Sequence, residues 1–369
     1  MSALGWSSLA ALGWSVAGYP LAVWVAAATR KKGEYRHQSP SPSLTLIVAA
    51  ANEAECLEEK LRASLALRSP GPLEIICAVN GSTDGTGAVA RKVAALEPRI
   101  DVIETPVLGK TGAQNVAARR AEGEILVFTD ANTDLDPGAL ESLLRELDDP
   151  RVDVVQGVLT IEAGNRSAGR HRPEALYWRY ESWIRRKEGR LGRAFAATGA
   201  LMAVRRSRWH AIAPHLMEDI VLPLRAITEG RRSVVAESAF AREPLRAEDP
   251  ARSHERISLQ DSAAVLSTLW RHGWANPLLA FQLISRKLLR WLGLPLYGVA
   301  LLDLTFSGAP PALLLALWLP PALALCGPRV GNAGSAARHA FRMHWWALAG
   351  LVAALRGRKL PGWRTRAVD

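Results

Sequence analysis

The stretch EILVFTDANTD, residues 124–134, places a short apolar run directly before a cluster of oxygen-bearing side chains. Residues 125–128 have the continuous apolar character of a strand that is buried on both faces of a parallel sheet. The polar residues that follow are Thr129, Asp130, Asn132 and Asp134. Asp and Asn favour turns, but ligands of α/β folds also bind at the carboxyl ends of parallel strands. The stretch alone leaves a turn and a metal or substrate site open.

Short apolar runs alternate with helical stretches on both sides of this segment. The pattern predicts strands at 44–50, 74–79, 101–105 and 124–129, and helices at 54–67, 86–97, 111–121 and after Pro137. Further on it predicts a strand at 151–161, a helix at 174–190, a strand at 198–204 and a helix from about 217. Such alternation is typical of an α/β fold with a parallel sheet covered on both faces.

The two ends of the chain are apolar enough for a membrane. Residues 1–29 carry no charged side chain, and Lys31 and Lys32 follow. That run exceeds the ~20 residues that cross a bilayer, its start lacks the basic residues of a secretory signal, and the lysines favour a cytoplasmic side after the span. Residues 291–328 contain one charge, Asp303, and SGAPP (307–311) divides them into predicted spans at about 291–306 and 310–327. The apolar stretch 343–355 is short for a span and fits an interfacial or re-entrant segment.

These features predict five regions along the chain. They are a membrane span at 1–29, a linker at 30–43, an α/β domain at 44–250, amphipathic interfacial helices at 251–290, and a membrane region with a basic tail at 291–369. The net charge of +11 fits contact with anionic lipid headgroups and phosphorylated substrates. No recognised nucleic-acid-binding module is present, so no nucleic-acid partner is expected.

Two nucleotide-binding motifs can be excluded. LGKT (108–111) ends like a phosphate-binding P-loop, but Glu104 stands where that motif needs a glycine. GSTDGTG (81–87) follows a predicted strand but does not have the spacing of a dinucleotide-binding loop. The three cysteines show no metal-ligand spacing and no sign of a disulfide framework.

Several segments carry a family resemblance when they are taken together. They are IVAAANEAE (47–55), AVNGSTDGT (78–86), LGKTGAQN (108–115), FTDANTDLDPGAL (128–140), FAATGA (195–200) and EDI (218–220). In this order the sequence resembles the family 2 glycosyltransferases, in the membrane-embedded branch related to cellulose and hyaluronan synthases. The resemblance covers roughly residues 44–290. It implies a GT-A (Rossmann-like) nucleotide-diphospho-sugar transferase domain plus transmembrane helices.

The resemblance also implies roles for individual residues on the donor side. Asp130 and Asn132 are expected to hold a divalent cation, Mn²⁺ or Mg²⁺, which neutralises the leaving diphosphate. Asn132 stands where the family usually has an acid, and Asp134 fits a turn residue. The expected donor-binding residues are Glu53, Asn80, Asp84, Lys110, Asn115 and Arg256. Asp84 also fits a cap of the helix that begins near Thr86, and Lys110 also fits a solvated loop lysine.

The reacting side is implied in the same way. Asp219 is expected to be the catalytic base and Glu218 to assist it, with Thr198 and Gly199 on the acceptor side. Without the other motifs, two acids that open a helix need only be stabilised by its dipole. Arg256 lies in ARSHERISLQ (251–260), which departs from the synthase motif Q-x-x-R-W, so the resemblance does not extend to processive elongation. The segment at about 171–193 mixes aromatic and basic residues, which fits sugar stacking and interfacial docking equally.

The expected function is that of an inverting, multi-pass glycosyltransferase of the cytoplasmic membrane with a cytoplasmic catalytic domain. The donor is a nucleotide-diphospho-sugar, and the acceptor is lipid-linked or a glycan, as in the synthesis of cell-envelope polysaccharides. Membrane lipids are the other expected partners. The alternative is a transporter-like membrane protein with a regulatory nucleotide-sugar-binding domain, for which three candidate spans are few.

Overall fold

The computed structural model describes residues 3–30, 41–162, 172–244 and 250–358. Most of the predicted linker, with Lys31 and Lys32, lies outside the described residues, as does the basic tail after Arg358. Contacts within the chain divide it into two compact units. The sheet unit lies within residues 26–166 and 178–246, and the helical unit lies within 1–25, 167–177 and 247–359.

The N-terminal apolar segment forms two helices in direct succession. Helix α1 (Ala3–Gly13) continues through a single π-helical turn at residues 14–18 into α2 (Tyr19–Ala28). Residues Ala3–Ala28 together are long and apolar enough to cross a membrane. Residues 3–28 of the span predicted at 1–29 therefore form a continuous helical segment with a π-turn at its middle.

The first half of the sheet unit has the predicted alternation. The strands β1 (Leu44–Ala50), β2 (Leu73–Asn80), β3 (Ile100–Thr105) and β4 (Ile125–Asp130) pair in parallel in the order β3-β2-β1-β4. The helices between them are α3 (Ala54–Leu65), α4 (Thr86–Ala94) and α5 (Lys110–Arg120). Residues 125–129 are buried, because β4 lies inside the sheet. Parallel pairing brings the carboxyl ends of all four strands to one edge.

The second half of the sheet is mixed, so the expectation of a wholly parallel sheet is wrong. It contains β5 (Asp134–Leu135), α6 (Ala139–Leu147), β6 (Val152–Glu162), α7 (Arg172–Arg190), β7 (Met202–Arg205), α8 (Glu218–Thr228) and β8 (Arg232–Pro244). Strand β7 lies between β4 and β6 and runs antiparallel to both. Strand β6 pairs in parallel with β8, and β5 pairs antiparallel with β8. Local apolar patterns indicate a strand but not its direction, which depends on the path of the whole chain.

Two strands differ from the sequence-based expectation in extent. The late strand predicted at 198–204 is limited to Met202–Arg205, because residues 198–201 form a turn region before it. Strand β8 was not predicted, although it is long. Its sequence, RSVVAESAFAREP, mixes small and charged residues and gives a weak apolar signal.

The helical unit continues after the sheet unit. It contains α9 (Pro250–His272), α10 (Pro277–Leu283), a π-turn at 284–288, α11 (Leu289–Trp291), α12 (Gly293–Phe306), α13 (Pro311–Cys326), a 3-10 turn at 327–330 and α14 (Gly331–Leu355). The predicted spans at 291–306 and 310–327 correspond to α12 and α13. Residues Pro311–Leu355 form a second span candidate, and Pro277–Trp291 with Gly293–Phe306 forms a third that is bent by 66°.

The apolar stretch at 343–355 is the end of α14 rather than a separate short segment. Helix α14 has 25 residues and begins at Gly331, and the alanines in its first half are good helix formers. Glycines allow close packing in this unit. A Cβ atom on Gly350 would lie 2.6 Å from the Cβ of Ser258 in α9. The Gly5 N–H donates to Asp303 Oδ2 at 2.8 Å, so this acid of the apolar region is hydrogen-bonded to α1.

Candidate active site

The structure joins three predicted site residues at the carboxyl end of β4. Lys110 is the first residue of α5, Asp130 is the last residue of β4, and Glu218 is the first residue of α8. The Lys110 Nζ lies 2.7 Å from Asp130 Oδ1 and 3.2 Å from Glu218 Oε1. Segments that are far apart in sequence therefore form one cluster of two carboxylates and one ammonium.

The ammonium of Lys110 is held in its charged form. Burial favours the neutral amine, but the carboxylates of Asp130 and Glu218 outweigh this effect and raise the pKa of Lys110. Gly199 leaves room for the cluster, since a Cβ atom there would lie 2.6 Å from Lys110 Nζ and 3.3 Å from Glu218 Oε1. Lys110 is thus a fixed cation of the site and not a solvated loop lysine.

Glu218 is surrounded by hydrogen-bond donors. It is 4% exposed, and its Oε1 accepts from Gln114 Nε2 at 3.2 Å while its Oε2 accepts from Thr111 Oγ1 at 3.3 Å. Burial opposes the charged form of this carboxyl, but Lys110 and the hydrogen bonds lower the pKa of Glu218. A buried carboxylate with several donors is a weak proton acceptor.

Asp219 has a different environment although it is the next residue. Its side chain is half-buried. Its backbone carbonyl accepts a hydrogen bond from the Ala197 N–H at 2.7 Å. This bond fixes the start of α8 against the loop that carries Thr198 and Gly199. The predicted base and the predicted acceptor-side residues are therefore neighbours in the fold.

The predicted donor-binding residues lie at the ends of β1 and β2. Asn80 ends β2 and is 2% exposed. Its Oδ1 accepts from the Leu108 N–H at 2.8 Å. Its Nδ2 has no hydrogen-bond partner among the residues that the structure describes. Since a backbone N–H can only donate, the amide oxygen of Asn80 is fixed toward Leu108, and the group without a partner is the NH₂.

Glu53 and Asp84 meet at the starts of two helices. The Glu53 N–H donates to Thr86 Oγ1 at 2.9 Å, and the Glu53 Oε2 accepts from Cys56 Sγ at 3.3 Å. Asp84 Oδ2 accepts from the Ala54 N–H at 3.1 Å, and Asp84 Oδ1 accepts from the Thr86 N–H at 3.0 Å. Burial opposes the charged form, but hydrogen bonds from the Thr86 hydroxyl and from the Ala54 and Thr86 N–H groups lower the pKa of Asp84. Asp84 therefore joins the first residues of α3 and α4, although the N-cap position of α4 is Gly85.

Asn115 and Arg256 are placed differently from the other predicted residues. Both polar atoms of the Asn115 amide bind the backbone of Ile212, with Nδ2 donating to its carbonyl at 2.6 Å and Oδ1 accepting from its N–H at 3.0 Å. This gives Asn115 a role in joining α5 to the segment before α8. Arg256 lies in α9 and belongs to the helical unit. Donor contacts of both residues stay predictions.

The residues at the end of β4 fit a cation that is held partly by substrate. Asp130 offers carboxylate oxygens, and Asn132 lies two residues further in the turn that the Thr133 N–H closes on the Asp130 carbonyl at 3.2 Å. Within the described ranges, no group of three or more His, Cys, Asp or Glu side chains is arranged to hold a metal. Mg²⁺-type ions bind through one or two protein oxygens plus substrate phosphates and water. The side chains of Asp130 and Asn132 offer few ligand atoms, and these are hard oxygens, which suits an ion of this type.

Sequence reasoning missed three polar residues that build this site. Thr111 and Gln114 bind Glu218, and Lys60 lies under the end of β4, where its Nζ donates to Thr129 Oγ1 at 3.2 Å. The burial of Lys60 could have been predicted from the sequence, because Lys60 lies beside Leu61 on the apolar face of α3. A lysine in an apolar stripe is rarely buried without a specific partner.

Comparison with known proteins agrees with this geometry. Residues 45–209 match the family model described as "Glycosyl transferase family 2". Over 134 residues the chain is 32% identical to an N-acetylglucosaminyltransferase of Rhizobium leguminosarum bv. trifolii, a match that covers 35% of this chain and 72% of that protein. The chain belongs to glycosyl transferase family 2. The resemblance found in the sequence is confirmed at the level of this family.

Two further matches describe the relationship to family 2. An N-acetylglucosaminyltransferase of Azorhizobium caulinodans is 30% identical over 181 residues, which cover 48% of this chain and 45% of that protein. The match therefore spans less than half of that relative. The structure of the mannosyltransferase PcManGT from Pyrobaculum calidifontis in complex with GDP-Man and Mn²⁺ has a TM-score of 0.73 at 23% identity, and it covers 96% of this chain and 100% of that one. This likeness confirms the GT-A (Rossmann-like) fold class.

Proposed function

We propose that the protein is an integral-membrane glycosyltransferase that moves a sugar from a nucleotide-diphospho-sugar to a lipid-linked or polysaccharide acceptor with inversion. The observation that supports this most directly is the cluster of Lys110, Asp130 and Glu218 beside Asp219 at the carboxyl end of β4. Fixed positive charge and a half-buried carboxylate at one strand end suit the departure of a diphosphate and the removal of a proton.

The leaving group determines what the donor side must do. As the bond between the anomeric carbon and the diphosphate oxygen breaks, negative charge grows on the diphosphate. Lys110 stays protonated next to Asp130 and Glu218, so its ammonium can stabilise that charge in a site of low dielectric. A divalent cation, held by Asp130 and Asn132 together with phosphate oxygens, would supply further charge neutralisation when bound. PcManGT was solved with Mn²⁺, which supports testing this ion first.

The acceptor side requires a base. In our proposal the acceptor hydroxyl attacks the anomeric carbon from the face opposite the diphosphate, and its proton passes to Asp219 as the new C–O bond forms. Glu218 is a poorer choice because its carboxylate already accepts from Gln114 and Thr111 and lies 3.2 Å from the Lys110 Nζ. Glu218 instead holds Lys110 and the first turn of α8 in place. Thr198 and Gly199 lie in the loop that the Ala197 N–H joins to Asp219, which supports an acceptor-side role.

The nucleoside is assigned to the ends of β1 and β2. The buried NH₂ group of Asn80 has no partner among the described residues, so it can donate to an acceptor on a ligand. Glu53 is a neighbouring candidate for the same ligand, and Asp84 shapes this loop by joining α3 to α4. Assignment of Asn115 and Arg256 to the donor rests on the family resemblance.

The membrane location rests on the apolar helices. Ala3–Ala28 and Pro311–Leu355 are long and apolar enough to cross a bilayer. We assign the protein to the cytoplasmic membrane, with its catalytic unit in the cytoplasm, because nucleotide sugars are made there and Lys31 and Lys32 follow the first span. A role in cell-envelope polysaccharide synthesis agrees with the 36% identity over 97 residues to the succinoglycan biosynthesis protein ExoA of Rhizobium meliloti.

The test uses full-length protein purified in detergent. Release of nucleoside diphosphate from UDP-, GDP- and dTDP-sugars is measured with Mn²⁺ or Mg²⁺ and an extract of membrane lipids as acceptor source. Asp130→Ala should abolish turnover. Asp134→Ala is the matched control, since Asp134 lies in the same turn but is exposed and paired with Arg242 at 3.5 Å. Absence of turnover with every donor, or equal loss in both variants, contradicts the proposal. Full activity in excess chelator contradicts only its metal component.

A further inference from the structure

The buried lysine Lys60 has no place in the mechanism described so far. It lies on the inward face of α3, one turn after Leu57 and next to Leu61, and it is 7% exposed. Burial of an ammonium in a core is unfavourable unless its charge and donors are satisfied. A residue of this kind is retained for a specific interaction rather than for packing.

The ammonium of Lys60 donates to two residues of one turn. Its Nζ donates to Thr129 Oγ1 at 3.2 Å and to the Thr133 carbonyl at 2.5 Å. These two atoms stand on either side of Asp130 and Asn132, the predicted cation ligands. A single ammonium therefore bridges the end of β4 to the far side of the turn that leaves it.

The same two threonines connect the turn to other parts of the site. Thr129 Oγ1 donates to the Ala200 carbonyl at 2.8 Å, next to Gly199. Thr133 Oγ1 donates to Glu243 Oε1 in β8 at 2.8 Å. Lys60 is thus the common partner of two hydrogen-bonded branches, one toward the Gly199 loop and one toward the second half of the sheet.

We propose that Lys60 is a positioning residue that holds the turn at 130–134 in the shape that presents Asp130 and Asn132 to the donor diphosphate and its cation. This inference rests on the proposed function, because it assigns Lys60 to the same site. The ammonium acts through the backbone of Thr133 and the hydroxyl of Thr129, and it does not itself contact the substrate.

The energetic cost of this arrangement supports a specific role. Burial lowers the pKa of Lys60 to about 8, although the charges of Asp130, Asp134, Glu243 and Cys56 oppose the shift. A methionine would fill a similar volume without a charge to desolvate. A merely structural Lys60 would therefore be replaceable by methionine with no effect on the turn.

The experiment compares Lys60→Met with Ser64→Ala in the full-length protein. Ser64 lies one turn further on the same buried face, but its hydroxyl donates to the Lys60 carbonyl and not to the turn. Hydrogen exchange read by mass spectrometry should rise in peptides covering residues 129–135 in Lys60→Met and stay at the wild-type level in Ser64→Ala. Lys60→Arg keeps a cation with several donors and should recover part of the protection.

Binding of Mn²⁺ in the presence of a nucleoside diphosphate, followed by electron paramagnetic resonance of the free ion and compared with the nucleotide alone, gives a second measurement. Loss of an outer partner of a metal site commonly weakens binding by roughly 10–100-fold. Removal of a nearby positive charge has the opposite effect, because it strengthens cation binding by electrostatics alone. Weaker binding in Lys60→Met supports a positioning role, whereas unchanged or tighter binding contradicts it.

Hydrogen exchange separates this inference from the proposed function, since it needs neither donor nor turnover. Unchanged exchange at 129–135 in Lys60→Met overturns the positioning role even if the wild-type protein transfers sugar. If exchange at 129–135 rises in Lys60→Met but the wild-type protein transfers no sugar, the positioning role of Lys60 is supported and only the proposed function is contradicted. If Lys60→Met does not fold, Lys60→Arg and Thr129→Val, which removes one of the two Lys60 acceptors, are compared in the same way.

Discussion

Neutralisation of the two adjacent acids at the start of α8 should affect different properties of the protein. Asp219→Asn and Glu218→Gln each remove one negative charge and keep the size of the side chain. In the structure, Glu218 is 4% exposed and is surrounded by donors, whereas Asp219 is half-buried. We therefore expect Glu218→Gln to act mainly on stability and Asp219→Asn mainly on turnover.

The size of the stability effect follows from the partners of Glu218. The glutamine NH₂ group fits only on the Thr111 side, where the hydroxyl can turn to accept, because Lys110 and Gln114 both donate to the other oxygen. The variant keeps most contacts but loses the charge that faces Lys110, which still has Asp130 at 2.7 Å. We expect a loss of about 2 kcal/mol in the free energy of unfolding, which corresponds to roughly 4–8 °C in melting temperature for a unit of this size.

The turnover effect has a different origin. If Asp219 takes the acceptor proton, Asp219→Asn should lower kcat by ~10²–10⁴-fold. The donor KM should change little, because the interaction forms only in the transition state. Its melting temperature should fall less than that of Glu218→Gln, because Asp219 is half-buried whereas Glu218 is 4% exposed. Glu218→Gln should reduce turnover less than Asp219→Asn when both are assayed below the melting temperature of the weaker variant.

The assay combines a thermal melt with donor turnover on the same purified samples. A melting temperature of Glu218→Gln equal to that of wild type would refute the buried hydrogen-bond network. Near-normal turnover of Asp219→Asn together with an inactive, folded Glu218→Gln would show that the base is the other member of the pair. Near-normal turnover of both variants would place the catalytic carboxylate elsewhere.

Three other predictions concern the cations of the site. Lys110→Met should weaken nucleoside-diphosphate binding by roughly 10–100-fold in calorimetry, the value of one charge-assisted hydrogen bond, and unchanged affinity would contradict phosphate contact. Asn132→Asp should lower the Mn²⁺ concentration needed for half-maximal turnover, because a carboxylate replaces a neutral ligand; a higher requirement would argue against Asn132 as a ligand. The pKa of Lys60 is about 8 in the fold against 10.5 in its absence, so between these pH values the unfolded chain binds more protons and folding is favoured as pH rises. The melting temperature of wild type relative to Lys60→Met should therefore increase from pH 8 to pH 10, and a decrease would contradict the buried charge.

The cluster also indicates how the site can remain folded without its substrate. Lys110 pairs with both Asp130 and Glu218 in the protein alone. Its single positive charge balances only one of the two carboxylates, and burial, together with the charge of Glu218, raises the pKa of Asp130 despite the contact with Lys110. When a diphosphate enters, the same ammonium can contact phosphate oxygens. Lys110 is therefore expected to matter both for stability of the free protein and for affinity of the donor.

The membrane part can be tested by its topology. Helix α14 begins at Gly331 and ends at Leu355 without a break. The apolar stretch at 343–355 therefore belongs to a long helix, whose path determines on which side of the membrane the C-terminus lies. Cysteine labelling after residue 369 from either side of the membrane measures that position directly.

The amino-acid sequence by itself determined the local elements and the family. Local patterns of apolar residues predict β1, β2, β3, β4 and the helices between them. The reason is that burial of one face of a strand or helix requires apolar residues at regular spacings along the sequence. The position of Asp130 at the end of a buried strand was visible for the same reason. The order of the motifs was enough to indicate family 2, and the comparisons confirmed it.

Only the tertiary structure decided which polar groups meet. The contact of Lys110 with Glu218 joins α5 to α8, and the binding of Asn115 to the Ile212 backbone joins the same distant segments. The structure also showed that Asp84 joins two helix starts and that Lys60 lies under the turn at 130–134. The antiparallel direction of β7 could not be predicted from the local sequence either. The physical reason is that the local sequence around a polar side chain is the same whether that side chain faces water or a partner about a hundred residues away. The path of the chain between the two residues determines whether they come into contact.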